Sequence, residues 1–222
     1  LGLPQYDMQT GQLIDIGSFL DPFLNPVPNK NNLRSNVAMV IGACMWFPKD
    51  LWEELGGFPA WFGSIAEDMY LCCLARLKGY PVIVLPQSGF NHWVGKSLGG
   101  GKVIQSTLQT TYHRRALSER NKSYVMLLCY PPAIAFMLVP LHFLLLAMEG
   151  LLLSTIKKEW RIWREIYGRC FSALLRDSRR LMQLRRRIQI GRRVNVASFY
   201  SAYTFFTHKL SMLIKYKVPI LK

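Results

Sequence analysis

Charge is scarce in this chain of 222 residues: only 18% are Asp, Glu, Lys or Arg, while 50% are hydrophobic. Disordered and low-complexity chains have the reverse balance, so both are excluded. Acidic residues are the scarcer sign, 13 against 28 Lys and Arg, which leaves a formal net charge of +15. The five cysteines (Cys44, Cys72, Cys73, Cys129 and Cys170) contain no Cys-x-x-Cys pair. An odd count with one vicinal pair is a poor disulfide framework, and reduced thiols in a cytosol-facing protein are expected. No basic segment with a cleavage site opens the chain, so no signal peptide is read, and a chain starting at Leu1 is expected to lack its true start. A P-loop is missing too. Gly95-Lys96-Ser97 needs a glycine five positions earlier, where the chain has Phe90, which excludes an ATPase of that type.

What is present is unevenly distributed. A positive mean hydropathy of +0.12 accompanies a pI near 9.9, so apolar and basic residues must occupy different segments. Residues 1–124 carry 11 basic and 9 acidic residues, residues 125–153 carry only Glu149, and residues 154–222 carry 17 basic against 3 acidic. This divides the chain into a near-neutral globular part (1–124), an apolar segment (125–153) that is membrane-embedded or re-entrant, and a basic helical tail (154–222).

Residues 1–35 are rich in Pro, Asn, Asp and Gly and read as loops. The apolar run 37–47 is predicted to be a strand buried on both faces and stopped by Pro48. Residues 48–55 read as a short helix that starts with proline and closes at Gly56-Gly57. Residues 65–78 have a helical apolar face ending at Gly79, and 82–85 read as a strand stopped by Pro86. Strand, helix, helix, strand predicts an α/β domain. From 156 to 188 apolar residues recur at steps of three and four, which predicts one amphipathic helix with a basic opposite face.

Glu67-Asp68 opens the second helix, where a carboxylate accepts N-terminal amides and is favoured by the helix dipole. On position alone it is either a cap or a catalytic acid-base pair. His92 follows the strand ending at Pro86, a place where function collects in open α/β sheets, and is either structural or a metal or phosphate ligand. The arginines of the tail are suited to phosphates of nucleic acid or of lipid. Their aromatic neighbours lie on the helix stripe next to the apolar block, which favours an anionic membrane surface and no nucleic acid.

Gly42-Ala43-Cys44-Met45, Gly56-Gly57-Phe58, Glu67-Asp68 with Leu71, Gly79-Tyr80, Leu85-Pro86 and His92 occur in an order that resembles the C-terminal half of a family 2 (GT-A fold) glycosyltransferase. Residues 115–121, leading into the apolar block, are similar to membrane-associated bacterial members. The resemblance covers residues 35–121 and implies a partial GT-A domain of α/β class, with the nucleotide-binding half expected ahead of it.

By that resemblance Asp68 is the general base and Glu67 positions base or acceptor. His92 helps to hold Mg²⁺ or Mn²⁺ on a nucleotide-sugar donor. Gly57, Trp61, Trp93, Lys96 and Ser97 are the flanking candidates for acceptor or donor binding. The implied activity is inverting, hexosyltransferase-like transfer to a lipid-linked or glycan acceptor in polysaccharide or lipid-linked glycan assembly, at the cytoplasmic face of the plasma membrane. The chain departs from the family pattern at Pro59 and Tyr70, where acidic residues are usual, and it has no Asp-x-Asp. Those departures leave a second expectation, a non-catalytic membrane-bound scaffold that retains half of the fold.

Overall fold

The computed structural model describes residues 1–93, 100–104, 107–216 and 220–221. It is a mixed α/β structure whose chain divides into two compact units. Unit 1 comprises residues 1–61, 66–94 and 190–208; unit 2 comprises 62–65, 95–189 and 209–222.

Among the described residues, unit 1 is built from short strands and three α-helices. β1 (Gln5–Asp7) pairs antiparallel with β2 (Leu13–Asp15) and parallel with β5 (Phe90–His92), and β3 (Ser18–Leu20) pairs antiparallel with β4 (Pro26–Pro28). The apolar run expected as one long strand is pinned instead by isolated bridges, Asn36 with Ile83, Met39 with Ser18 and Met45 with Gly2. Residues 37–40 are buried, whereas 41–47 emerge to half-exposed or exposed positions. A turn at Gly42 and Ala43 interrupts the run, so burial on both faces ends there. The second expected strand is likewise reduced to bridges at Ile83 and Val84, with Val82 and Val84 buried and Ile83 between them turned partly outward, the period of two that extended backbone imposes.

The helices of unit 1 match their sequence signals more closely. α1 (Lys49–Leu55) starts after Pro48 and ends at Gly56, whose φ of +78° is the left-handed cap that glycine adopts without penalty. α2 (Glu67–Leu77) is the central element, with Met69 through Leu77 all buried. A buried guanidinium on this helix ties it to the unit: Arg76 donates to the Val37 and Phe199 carbonyls at 3.1 and 3.2 Å, and to Ser201 Oγ at 2.8 Å. These partners place the segment around α7 (Val196–Tyr200), with Phe199 wholly buried, in the core of unit 1. Residues 194–214 are split between this packed segment and α8 (His208–Tyr216).

Unit 2 is a helical assembly with a small sheet, β6 (Gly100–Ile104), β7 (Thr107–Thr110) and β8 (Ile220–Leu221). α3 (Tyr112–Cys129) starts at Thr111, whose side chain accepts the Arg114 amide at 3.2 Å. Its last carbonyls are capped from α6 (Ser178–Ile190): Arg185 donates to Leu127 and Tyr130, and Gln189 to Leu128. Val125 to Tyr130 are mostly buried, so the apolar segment predicted to begin at 125 starts as the packed end of α3.

The exposed apolar element is α4 (Pro132–Ile156), about 37 Å long at 1.5 Å per residue. Among the described residues it is the one helix long and apolar enough to cross a membrane. A stripe of Val139, His142, Leu146, Gly150 and Ser154, at steps of three and four, is buried; Phe136, Leu144, Met148 and Leu152 stand exposed on the remainder. The single amphipathic helix expected over 156–188 is broken into a π-helical turn (Trp163–Gly168), α5 (Arg169–Arg176) and α6. Of the apolar stripe expected over 156–188, Tyr167, Leu174 and Leu181 are buried while Ile156 and Trp160 are exposed, and the turn and α5 pack on α3. The stripe is therefore partly protein core rather than one continuous face.

Candidate functional site

The chain enters α2 through strained backbone. Ile65 and Ala66, neither of them glycine, have φ of +69° and +67°, a region that costs such residues about 1–3 kcal/mol each and that a β-branched side chain rarely occupies. The preceding residues are clamped: Asn121 Nδ2 on α3 lies 3.1, 2.8 and 2.7 Å from the carbonyl oxygens of Phe62, Ser64 and Ile65, all within unit 2. Asn121 is fully buried, and Arg120 donates to the Phe62 carbonyl as well. The turn delivers Glu67 and Asp68 as the first residues of α2. Sequence reasoning assigned no role to Asn121 beyond the end of a motif. An asparagine amide can bind several carbonyls, but nothing in its spacing tells which turn it serves.

Asp68 is not the side-chain cap of its helix; the capping residue is Ala66, which makes no such bond. Its Oδ2 accepts the Gly42 amide across 26 residues at 3.1 Å, and Oδ1 accepts the Met69 amide at 2.7 Å. Burial pushes its carboxyl up to about 6 from 3.8; the Gly42 and Met69 amides pull it back, and the neighbouring Glu67 charge pushes it further. Such a carboxylate is ionised at neutral pH yet basic enough to take a proton. Glu67 Oε2 is buried with no hydrogen-bond partner, an acceptor held out of water beside it.

Aromatic side chains stand next to this carboxylate. A Cβ built on Gly42 would lie 3.5 Å from both Asp68 Cβ and Phe58 Cζ, which puts Gly42, Phe58 and Asp68 in one cluster. Phe58 meets Trp52 edge-on at 5.2 Å, and Trp52 meets Phe47 at 6.0 Å. Trp52 and Phe58 are both more than a third exposed, so they offer ring faces rather than core. Gly57 is required behind them: its φ is +64°, and a Cβ there would come within 2.8 Å of the Trp52 indole. The sequence marks Gly57 and Phe58 as motif residues but not Trp52, because nothing in the spacing of these residues brings the two rings together.

The other sequence candidates are placed as follows. Trp61 is half-buried in the turn Ala60–Phe62, and Trp93 is exposed after β5. Lys96 and Ser97 lie outside the described residues. His92 is the last residue of β5, in register with Asp7 of β1, and its Nδ1 is buried without a hydrogen-bond partner. Asp7 is committed elsewhere, its Oδ1 accepting the Gln9 and Thr10 amides. His92 and Asp68 belong to the same unit but share no hydrogen bond among the described residues. The orphaned imidazole nitrogen fits a donor role, and it stands alone: no group of three His, Cys, Asp or Glu side chains suited to a metal occurs among the described residues.

The sequence matches the family described as Glycosyl transferase family group 2 over residues 28–216. No curated protein and no solved structure gives a match. The matched span takes in the Gly42 turn, Gly56-Gly57-Phe58, Glu67-Asp68 and His92, and it runs on through α4 to the last residue of α8. With most of its length so matched, the chain belongs to the family 2 glycosyltransferases.

Proposed function

We propose that the chain is the acceptor-side part of an inverting glycosyltransferase that moves a hexose from a nucleoside diphosphate sugar onto a membrane-linked glycan or lipid, with Asp68 as general base. The observation that carries this reading is the Asp68 carboxylate, kept near 6 by burial and steadied by the Gly42 and Met69 amides beside exposed aromatic rings. The acceptor hydroxyl gives its proton to Asp68 as its oxygen attacks the anomeric carbon from the face opposite the leaving group. The bond from that carbon to the donor phosphate breaks, the electron pair leaves with the nucleoside diphosphate, and configuration inverts. Phe58 and Trp52 offer apolar faces for the sugar ring of the acceptor, and Glu67 Oε2 offers a second acceptor for its hydroxyls.

A divalent cation on the donor diphosphate, Mg²⁺ or Mn²⁺, would offset leaving-group charge, and His92 Nδ1, buried without a hydrogen-bond partner, is the donor candidate the family order suggests. α4 is the membrane-embedded element, at the cytoplasmic face of the plasma membrane where nucleotide sugars are found. The test is sugar transfer by the complete protein carrying Asp68→Asn; unchanged turnover removes Asp68 as base. The lack of a three-donor group among the described residues favours a second reading, a membrane-bound scaffold without catalysis. Sugar transfer by the wild-type protein that is lost in Asp68→Asn rejects the scaffold.

A further inference from the structure

Unit 2 contains an open groove of about 730 Å³ that the proposed transfer chemistry does not use. Arg120 of α3, Trp163 and Arg164 of the π-helical turn, Arg169 and Arg176 of α5, and Trp160 line it. Trp160 and Trp163 stack at 6.1 Å with ring planes 24° apart, and Trp163 continues the stack onto Tyr167 at 6.3 Å. The π-helical turn supports this column; such turns are rare and concentrate at functional sites. α4 backs the column directly, since a Cβ on Gly150 would fall 2.5 Å from the Tyr167 ring and 2.9 Å from Trp163.

The lining has one acid against four arginines. Glu165 pairs with Arg164 at 3.4 Å and Arg169 at 2.6 Å, and Arg176 pairs with Asp177 at 3.3 Å. The side chains of Arg164, Arg169 and Arg176 are nonetheless 73, 64 and 71% exposed. A guanidinium has five N–H donors in a fork that matches phosphate oxygens, so one carboxylate contact leaves most of that capacity free. Trp160 is 61% exposed, four residues beyond Ile156, where the exposed apolar face of α4 ends. Stacked indoles between an apolar helix face and an arginine cluster are the pattern of a membrane interface, with rings at headgroup level. Bases of a nucleic acid would give the outward residues of α4 nothing to bury against.

We infer that this groove binds the phosphate headgroup of an anionic membrane phospholipid: Arg164, Arg169 and Arg176 hold the phosphate, Trp160 and Trp163 sit at the boundary, and the outward face of α4 lies against the acyl chains. This deepens the membrane side of the proposed function, and because it stands on unit 2 alone, lipid binding and Asp68-dependent transfer fail independently.

The test is vesicle co-flotation of the complete protein with phosphatidylcholine vesicles, with and without phosphatidic acid. Wild type is expected to favour the phosphatidic acid vesicles, and the combined Arg164→Gln, Arg169→Gln, Arg176→Gln variant to lose about a hundredfold of that partition, the share that three interfacial arginines carry. Trp160→Ala is expected to weaken binding to both vesicle types and to abolish the part of the fluorescence blue shift that this indole contributes. An equal number of neutralised arginines on α6, Arg179→Gln, Arg180→Gln, Arg186→Gln, is the control. A loss as large as that of the groove variant overturns the inference in favour of a diffuse basic surface. Equal binding to both vesicle types overturns it, as does displacement by inorganic phosphate as effectively as by a soluble short-chain phosphatidic acid. Tight binding of an RNA oligonucleotide that the groove variant loses overturns it in favour of a nucleic-acid occupant.

Discussion

Each unit holds a carboxylate away from water, and the two are treated in opposite ways. Asp68 in unit 1 receives two backbone amides and a like-charged neighbour, so the effect of burial prevails and its carboxyl sits at about 6. Glu119 in unit 2 is more deeply buried, and burial alone would raise it too. Lys122, Lys209 and Arg115 instead hold it well below the ordinary carboxylate range, with Nζ or Nε atoms 3.0–3.1 Å from its oxygens. Glu149 of α4 joins the network through Arg115 at 2.7 Å and through Lys209. Burial therefore does not decide what a carboxylate is for. Neighbours that stabilise its charge make it a lock between helices, and neighbours that only partly do so leave it able to take a proton near neutral pH.

Removing the charge at Asp68 should have the largest effect on activity. Asp68→Asn is expected to lower kcat by about 10²–10⁴-fold, the range for a positioned general base, without lowering the melting temperature. The wild-type kcat/KM profile should show an acid limb near pH 6, absent from the residual activity of the variant. The stability effect has a definite sign. The folded-state value lies above 3.8, so folding favours the protonated form, and this contribution to stability declines as pH rises from about 4 through 6. The variant should lack that decline in denaturant titrations at stepped pH. A lower melting temperature for Asp68→Asn at neutral pH would make the residue a structural anchor.

Glu119→Gln should damage stability rather than chemistry. It leaves Arg115, Lys122 and Lys209 without their central anion, and breaking a buried ion network typically costs about 3–5 kcal/mol. The folded-state value of Glu119 is depressed, so its contribution is present above about 4.5 and is lost as pH falls below that. Acidification through the lower window should thus open unit 2, while the Asp68 contribution to unit 1 grows until that carboxyl is fully protonated. Hydrogen exchange at stepped pH reads both units in one experiment; parallel loss of protection would sink the contrast.

The same contrast explains what the sequence made legible. α1, α2 and the long apolar helix were readable because Pro48, Gly56, Gly79 and a run of apolar residues act locally, through φ preference and hydropathy. The family order of Gly42, Gly57, Glu67-Asp68 and His92 supplies the candidates for the site but not their contacts. The strand expected over 37–47 failed because ladder pairing is a long-range property, here split among residues 2, 18 and 83. The stripe from 156 to 188 was periodic, yet periodicity cannot tell α3 from lipid as the surface it covers. Asn121 and the Arg76 anchor were illegible for the same reason, since their partners lie roughly forty to more than one hundred residues away.

Gly57→Ala tests the aromatic wall. Its positive φ and the approach to the Trp52 indole together predict a loss of about 2 kcal/mol, with the indole displaced. If Trp52 and Phe58 hold the acceptor sugar, KM for acceptor should rise while the acid limb near 6 stays in place, because Asp68 is untouched. A shift of that limb with KM unchanged would tie the rings to the base and not to the acceptor.

Gly42→Ala should have the smallest effect, although Gly42 contacts Asp68 directly. Its φ is not in the left-handed region, and the added methyl would meet Asp68 and Phe58 at 3.5 Å, ordinary van der Waals contact. The amide that donates to Oδ2 is retained, so stability is expected to change by no more than about 0.5 kcal/mol. The methyl also takes a little more water from the carboxylate, which moves the acid limb slightly upward and never downward. Activity that collapses while the melting temperature holds would mean that the space over Gly42 is occupied during turnover. The acceptor hydroxyl would then approach Asp68 across this turn, and the glycine would be kept for passage rather than for backbone geometry.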